Sequence, residues 1–452
     1  MGNTPKQPRT LMHLSNIVLA STSPRRRALL QSYGVQFLSL APDVIEEPIP
    51  GESARDYVIR NGKLKAQSVC NQFHEQCFGK LVIASDTVVV APNGRILEKP
   101  GTIDDAKAMM SELNGQTHEV ISSIVIAYSG RRPTGSTDAN DEAHQSHYIV
   151  CTEAVSTQVT FGDLPEAWIE RYVATDEPYD KAGGYGIQEA AGAFVRRIEG
   201  SYSNVVGLPL YETFAILSDL DAVRHFYGNS SRKDGMDSLA TLVAVSKKKH
   251  ISAIRLAHLF GQRAFGESYA QELESKRNQL QDCTGTAWHF IGKLQSNKLA
   301  QIARHADVVH SLEDIEKVDR LAAECQKIGR KLHVYIKAEV SPLTPAASGC
   351  SWEQVQSIAE RIQNTHAAEL QLCGFMGMAP LGVGEKETES LFKDFMTRGM
   401  ALWKQLGITD RPLSFSLGMS ADSHIALSAA QQLGLEPPVL RLGSAVFGDR
   451  GT

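Results

Sequence analysis

The sequence predicts an α/β protein of two domains, and three observations lead there. Its 452 residues exceed what one ordinary core organises, since about 150 residues per domain is the usual scale. Short apolar, β-branched runs alternate with helical patterns along most of the chain. A polar stretch, Gly228-Asn229-Ser230-Ser231-Arg232-Lys233-Asp234-Gly235, has linker composition and interrupts that alternation midway. The expected division is a first domain over 14–222, a linker over 223–240 and a second domain over 241–452.

In the first half, Asn16-Ile17-Val18-Leu19-Ala20 reads as a short buried strand. Ser23 can then cap a helix with Pro24 in its first turn and Gly34 as its stop. Leu81 to Val90 reads as a buried strand with Asp86 inside it. Thr102 to Gly115 carries Ala106, Met109, Met110 and Leu113 on one helical face and ends on glycine. Glu119 to Tyr128 is β-branched and strand-like, and residues 129–147, rich in turn formers and charge, read as a long mobile hairpin loop before a further strand.

Beyond the linker the pattern becomes eight short apolar runs separated by helical segments: Leu242–Ser246, Ala264–Glu267, Trp288–Gly292, Val308–Leu312, Leu332–Val340, Leu372–Met378, Leu413–Met419 and Val439–Val446. Eight β/α units in some 210 residues predict a compact (β/α)8 barrel of the TIM type.

Composition excludes several function classes. A net charge of −5 and a pI near 6.3 argue against bulk nucleic-acid binding, which needs a basic stripe. The seven cysteines are scattered, with no Cys-x-x-Cys pair or histidine spacing suited to zinc, and read as reduced thiols of a cytoplasmic protein. No run of eighteen apolar residues and no secretory leader is evident, so neither a membrane span nor export is expected. Gly2 does not begin a myristoylation signal, because Lys6 stands where Ser or Thr is required.

Two segments carry chemistry in the first half. Ser21 to Arg27 lies where a strand feeds a helix, so backbone amides and the positive helix end favour an anion, while Arg25 and Arg26 oppose the helix dipole unless an anion binds there. Asp86 is a lone carboxylate in an apolar run, costly unless paired, metal-bound or functional. With Asp180-Lys181-Ala182-Gly183-Gly184-Tyr185-Gly186-Ile187-Gln188 and the run from Gly200 to Pro209, these segments resemble the Maf family of nucleoside-triphosphate pyrophosphatases over about residues 14–218.

The resemblance implies a mixed-sheet α/β domain that cleaves a nucleoside triphosphate to monophosphate and pyrophosphate. It implies Asp86 as the base, Ser21, Arg25 and Arg26 against phosphate or nucleobase, and Lys65 and Lys99 neutralising phosphates. Thr87, Arg25 and Gln188 match positions associated with the choice of base. Glu47, with Glu46 as the alternative, is the second acid and would join Asp86 at a divalent metal, Mg²⁺ or Mn²⁺. The Arg25-Arg26 pair and the Gly-Tyr-Gly-Ile-Gln form are similar to the branch acting on dTTP and UTP. Relatives of this kind often pair, so a homodimer is compatible with the resemblance. Departures are Gly62 and Ser85, where alanine is usual, and Glu189, where glycine is common; His118 is a family feature that reads as structural.

The second half offers an amine, Lys247, at the end of its first strand and so at a barrel mouth, where active groups of this architecture sit. Alone, Lys247-Lys248-Lys249 would read as a solvated cluster. Phe265-Gly266-Glu267-Ser268-Tyr269, Trp288 to Lys298, Ser416-Leu417-Gly418-Met419-Ser420 and Arg441 to Gly448 together resemble the YggS-like family of pyridoxal 5'-phosphate (PLP) homeostasis proteins, built on the barrel of the alanine racemase N-terminal domain. That likeness implies Lys247 as the Schiff-base lysine, Ser416, Gly443 and Ser444 as a phosphate cup, and Arg441 facing the pyridine nitrogen. Ser268 and Glu339 stand where asparagine is usual, Ala347 where lysine is, and the helix that precedes the first strand is expected to be reduced to the linker. Two other readings are a non-enzymatic PLP carrier with a nucleotide-sensing first half, and a PLP-dependent racemase. The racemase is disfavoured because the sequence shows no further β domain after the eighth strand to supply a second acid/base.

Overall fold

The computed structural model describes residues 14, 16–130, 146–228, 242–341, 349–380 and 382–448. They divide into two compact units, Met1–Asp221 and Ala222–Thr452. Among the described residues no helix is long and apolar enough to cross a membrane.

The first unit is a mixed sheet of eight strands: β1 (Ile17–Ala20), β2 (Phe37–Leu40), β3 (Lys80–Ala84), β4 (Thr87–Val90), β5 (Ile96–Leu97), β6 (Thr117–Gly130), β7 (Ser146–Phe161) and β8 (Val195–Glu199). The order is β2-β1-β3-β6-β4-β5, with β7 pairing β6 and β8. β1 runs parallel to β2 and β3, and all four of its residues are buried, as a continuous apolar run requires when both faces are covered. β6 and β7 form the expected hairpin; residues 131–145 between them lie outside the described residues.

The expected single strand around Asp86 is two. β3 and β4 pair successively with the same edge of β6, Ala84 opposite Val125 and Thr87 opposite Ser122, leaving Ser85 and Asp86 in the break. There the Asp86 amide donates to Ser123 Oγ (2.9 Å) and its carbonyl accepts from the Ser123 amide (2.9 Å), so the Asp86 backbone stays paired through the interruption. A regular strand would have aimed Asp86 into one face of the sheet; the break aims it into a cleft.

Helix Ala54–Gln72 starts on Ser53, which accepts from the Asp56 amide, and lays Ala66, Val69 and Cys70 onto Val18, Val82, Ala84 and Val125. Its approach is close at Gly62, where a β-carbon would sit 2.7 Å from Val125 Cγ2 and 2.8 Å from Ser123 Oγ. The helix expected over 102–115 spans Ile103–Leu113, capped by Thr102, and buries Ala106, Met110 and Leu113.

The second unit is the expected barrel. β9 (Leu242–Val245), β10 (Ala264–Glu267), β11 (Ala287–Phe290), β12 (Val308–Leu312), β13 (Leu332–Lys337), β14 (Leu370–Met376), β15 (Ser414–Ser416) and β16 (Leu440–Leu442) form one all-parallel sheet in the order β15-β14-β13-β12-β11-β10-β9-β16. A bridge between Ser416 and Val439 closes it. The helix ahead of β9 is not reduced to a linker: Leu210–Gly228 is helical to its end, and within the second unit Tyr227 donates to Gln262 (3.0 Å) and stacks on Phe260. Residues 223–228, expected in the linker, are therefore helical, and 229–241 lie outside the described residues.

Candidate functional site

In the first unit a cavity of about 670 Å³ is lined by Ser21, Arg25, Arg26, Lys65, Asp86, Thr87, Lys99 and Gln188, contributed by segments up to 167 residues apart. Every site residue expected in this half is there except Glu47.

Asp86 is buried at its centre. Lys65 Nζ lies 2.7 Å from Oδ1 and Asn61 Nδ2 3.0 Å from Oδ2. Asn61 and Lys65 are four residues apart and so share one face of helix Ala54–Gln72. Burial alone would raise the Asp86 carboxyl, but Lys65, Arg26 and Asn61 outweigh it and hold it below its usual value. Lys65 Nζ also reaches Glu46 Oε2 at 2.8 Å. Glu46, the alternative to Glu47, is thus the carboxylate that shares Lys65 with Asp86, while Glu98 and Asp180 also line the cavity; Glu47 does not line it, and its carbonyl accepts from Arg60 (2.9 Å).

The two arginines are held differently. Arg26 donates from Nε to the Gly207 carbonyl (2.8 Å) and from Nη2 to Thr87 Oγ1 (3.0 Å), which fixes it. Ser85 also donates to that carbonyl (3.0 Å), which gives this departure from alanine a role. Gly207 itself sits at φ +124°, a backbone conformation that favours glycine. Arg25 instead pairs with Asp180 (2.9 Å) at the more open side. Lys181, beside it, is buried against Asp180 (2.7 Å) and Glu189 (3.1 Å), so the glutamate that replaces glycine is a counter-ion. His118 lies outside the cavity; its Nε2 is 2.7 Å from Tyr185 Oη, it packs on Phe161, and burial lowers its pKa to about 4, a neutral structural histidine.

Sequence reasoning missed Asn61, Asp180 and Glu98. Asn61 carried a signal, being a polar residue on an apolar helix face one turn before Lys65. Glu98, which accepts from Tyr57 Oη (2.9 Å) in the same cavity, carried none.

No group of three or more His, Cys, Asp or Glu suited to a metal occurs among the described residues. The two carboxylates Asp86 and Glu46 both pair with Lys65 Nζ, at 2.7 and 2.8 Å, and by chemistry they match Mg²⁺ or Mn²⁺, which take one or two carboxylates with substrate phosphates and water.

In the barrel, Lys247 follows β9, and Gly443 follows the neighbouring β16, whose Leu442 pairs with Ala244. The amides of Gly443 and Ala445 both point at Ser420 Oγ, at 3.2 and 3.3 Å. Ser416, expected in that cup, is elsewhere: it is fully buried, accepts from Arg441 Nη1 (2.5 Å) and lies 2.8 Å from His310 Nδ1. As the last residue of β15 it points inward, whereas Ser420, four residues on in the loop, reaches the amides; both stood in the same motif. Arg441 Nη2 donates to the Gly377 carbonyl (2.9 Å), and burial lowers its pKa only to about 10, so it stays charged at neutral pH. His310 continues to His289 (2.8 Å) and stacks on Tyr335; burial lowers the His289 pKa to about 4 and holds His310 well below its usual value, leaving both neutral. An amine, a fixed guanidinium and an amide-and-hydroxyl cup are the donors PLP needs. Of the departures, Ser268 and Glu339 are half-buried, and Ala347 lies outside the described residues.

A family model for Maf-like proteins matches residues 16–220, and one for the alanine racemase N-terminal domain matches residues 218–451. The dTTP/UTP pyrophosphatase of Escherichia coli (strain K12) is 41% identical over 211 residues, 47% of this chain and 96% of that protein. The chain belongs to the Maf-like family in its first half and to the alanine racemase N-terminal domain family in its second. The dTTP/UTP pyrophosphatase of Shigella boydii serotype 4 matches the Maf-like half to the same extent, 41% over 211 residues. Among solved structures, PipY of Synechococcus elongatus PCC7942 with PLP bound is 32% identical, covers 49% of this chain and 100% of its own, and superposes with a TM-score of 0.43.

Proposed function

We propose that the Maf-like half hydrolyses dTTP, UTP or modified pyrimidine triphosphates to monophosphate and pyrophosphate, and that the barrel binds PLP on Lys247 as a homeostasis module. The observation that carries the first reading is the convergence of Asp86, Lys65, Arg25 and Arg26 on one cavity. The names of the Escherichia and Shigella relatives supply the substrates.

Asp86, ionised at neutral pH, accepts a proton from a water placed beside the α-phosphate, and Lys65 and Asn61 hold its two oxygens toward that water. Arg26 and Lys99 take up charge that develops on the phosphates, and Arg25 exchanges Asp180 for the polyphosphate. Asp86 and Glu46 would hold the divalent metal, which supplies charge neutralisation on the phosphate oxygens. Thr87 and Gln188, which line the same cavity, would read the base. Pyrophosphate release from a panel of triphosphates tests this: Asp86→Ala should abolish it, and unchanged release would remove Asp86 from the mechanism.

Bound PLP supplies an aldehyde for amines. Lys247 would receive it, Gly443, Ser444 and Ser420 would hold its phosphate, and Arg441, fixed by Ser416 and Gly377, would face the ring nitrogen. A guanidinium there keeps that nitrogen unprotonated and weakens the ring as an electron sink, which suits a carrier better than a transaminase. Absorbance at about 420 nm, the signature of a PLP Schiff base, should vanish in Lys247→Ala.

A further inference from the structure

The turn that carries Lys247 is strained and clamped. Lys248 adopts φ +60°, one of two non-glycine residues with positive φ among those described. Such a conformation persists only where surroundings over-determine it. Here they do so at three points. Ser246 Oγ donates to Glu267 Oε1 (2.6 Å), the Ser246 carbonyl accepts from Lys276 Nζ (2.6 Å), and the Lys248 amide donates to Glu272 Oε1 (2.5 Å). Lys276 Nζ joins the three, reaching Glu267 Oε1 at 2.9 Å and Glu272 Oε1 at 2.7 Å. Glu267 is fully buried and Lys276 nearly so, and Glu267 Oε2 has no partner. An ion pair taken this far out of water is weak support for stability, since an apolar pair of the same volume does as well. Its value lies in where it puts the backbone on either side of Lys247.

We infer that Lys276, with Glu267 and Glu272, is a positioning group that holds Ser246 to Lys248 in the strained turn and so fixes the direction in which Lys247 is presented. The inference rests on the assignment of Lys247 as the PLP-binding amine. The clamp acts through the turn, not on the cofactor: Glu272 must supply an acceptor oxygen to the Lys248 amide, and Lys276 must tie that oxygen to the Ser246 carbonyl.

The test is titration of the full-length chain with PLP, following absorbance at about 420 nm and the circular dichroism of the same band, which reports how the cofactor is held. Glu272 is partly exposed, so its variants spare the buried core. Glu272→Ala should raise the PLP dissociation constant about tenfold and diminish the visible dichroism, whereas Glu272→Gln, which keeps the acceptor oxygen, should stay within about threefold of the natural chain. Lys276→Met combined with Glu267→Gln, which leaves no unpaired buried charge, should weaken binding at least as much as Glu272→Ala. Natural affinity and dichroism in Glu272→Ala and in the double variant overturn the inference, as does equal weakening in Glu272→Ala and Glu272→Gln. A natural chain that gives no visible band overturns the PLP assignment itself, and the clamp's role with it.

Discussion

Asp86 illustrates how a single side chain acquires a task. Its burial costs free energy that two donors, Lys65 and Asn61, and the charge of Arg26 offset, and the net effect keeps the carboxyl below its ordinary value of 3.8. Asp86→Asn should therefore lower kcat for pyrophosphate release about 10³-fold, with KM little changed. The shift also fixes a sign for stability. A folded-state pKa below the unfolded one gives stabilisation that is present above the unfolded value and lost as pH falls through the folded value. The urea midpoint of the natural chain should thus fall faster than that of Asp86→Asn on acidification from about pH 6 to about pH 3. Carboxylate identity is tested alongside: Glu46→Gln should impair hydrolysis, whereas Glu47→Gln should leave it within about twofold, the scatter of an exposed substitution.

At the scale of elements, helix Ala54–Gln72 couples packing to chemistry, since Ser123 both touches Gly62 across the helix–sheet contact and receives the Asp86 amide. Gly62→Ala would gain helix propensity but force Ser123 and Val125 aside, so thermal denaturation should show a net loss of about 1–3 kcal/mol. Activity should fall with it, because the Asp86 loop loses its anchor. Much of this was legible in advance. Apolar runs located most strands, though not β2, β5 or β8, because burial on both faces leaves an uninterrupted hydrophobic signature, as in β1 and β9. The break at Asp86 was not legible, since a strand and two shorter strands sharing one neighbour have the same composition. Glu46 against Glu47, and Ser416 against Ser420, were ambiguous for a related reason: in irregular backbone no periodicity says which of two candidates faces inward.

For the whole molecule, two units with separate sites lead to a crossed prediction. Asp86→Ala should leave PLP absorbance intact, and Lys247→Ala should leave dTTP hydrolysis intact, both measured on the full chain. The barrel was the more legible of the two, because eight β/α repeats leave few alternative topologies, and its closure needed only the bridge between Ser416 and Val439. One pairing in the other unit bears on turnover. With Arg25 already neutralised by Asp180, an incoming polyanion must compete with a tethered carboxylate for the guanidinium. On the proposed reading a triphosphate, multiply charged and gripped elsewhere, would win that contest, and a nucleoside monophosphate, with fewer grips, would lose it. The aspartate that pairs with Arg25 would then help to expel the spent product.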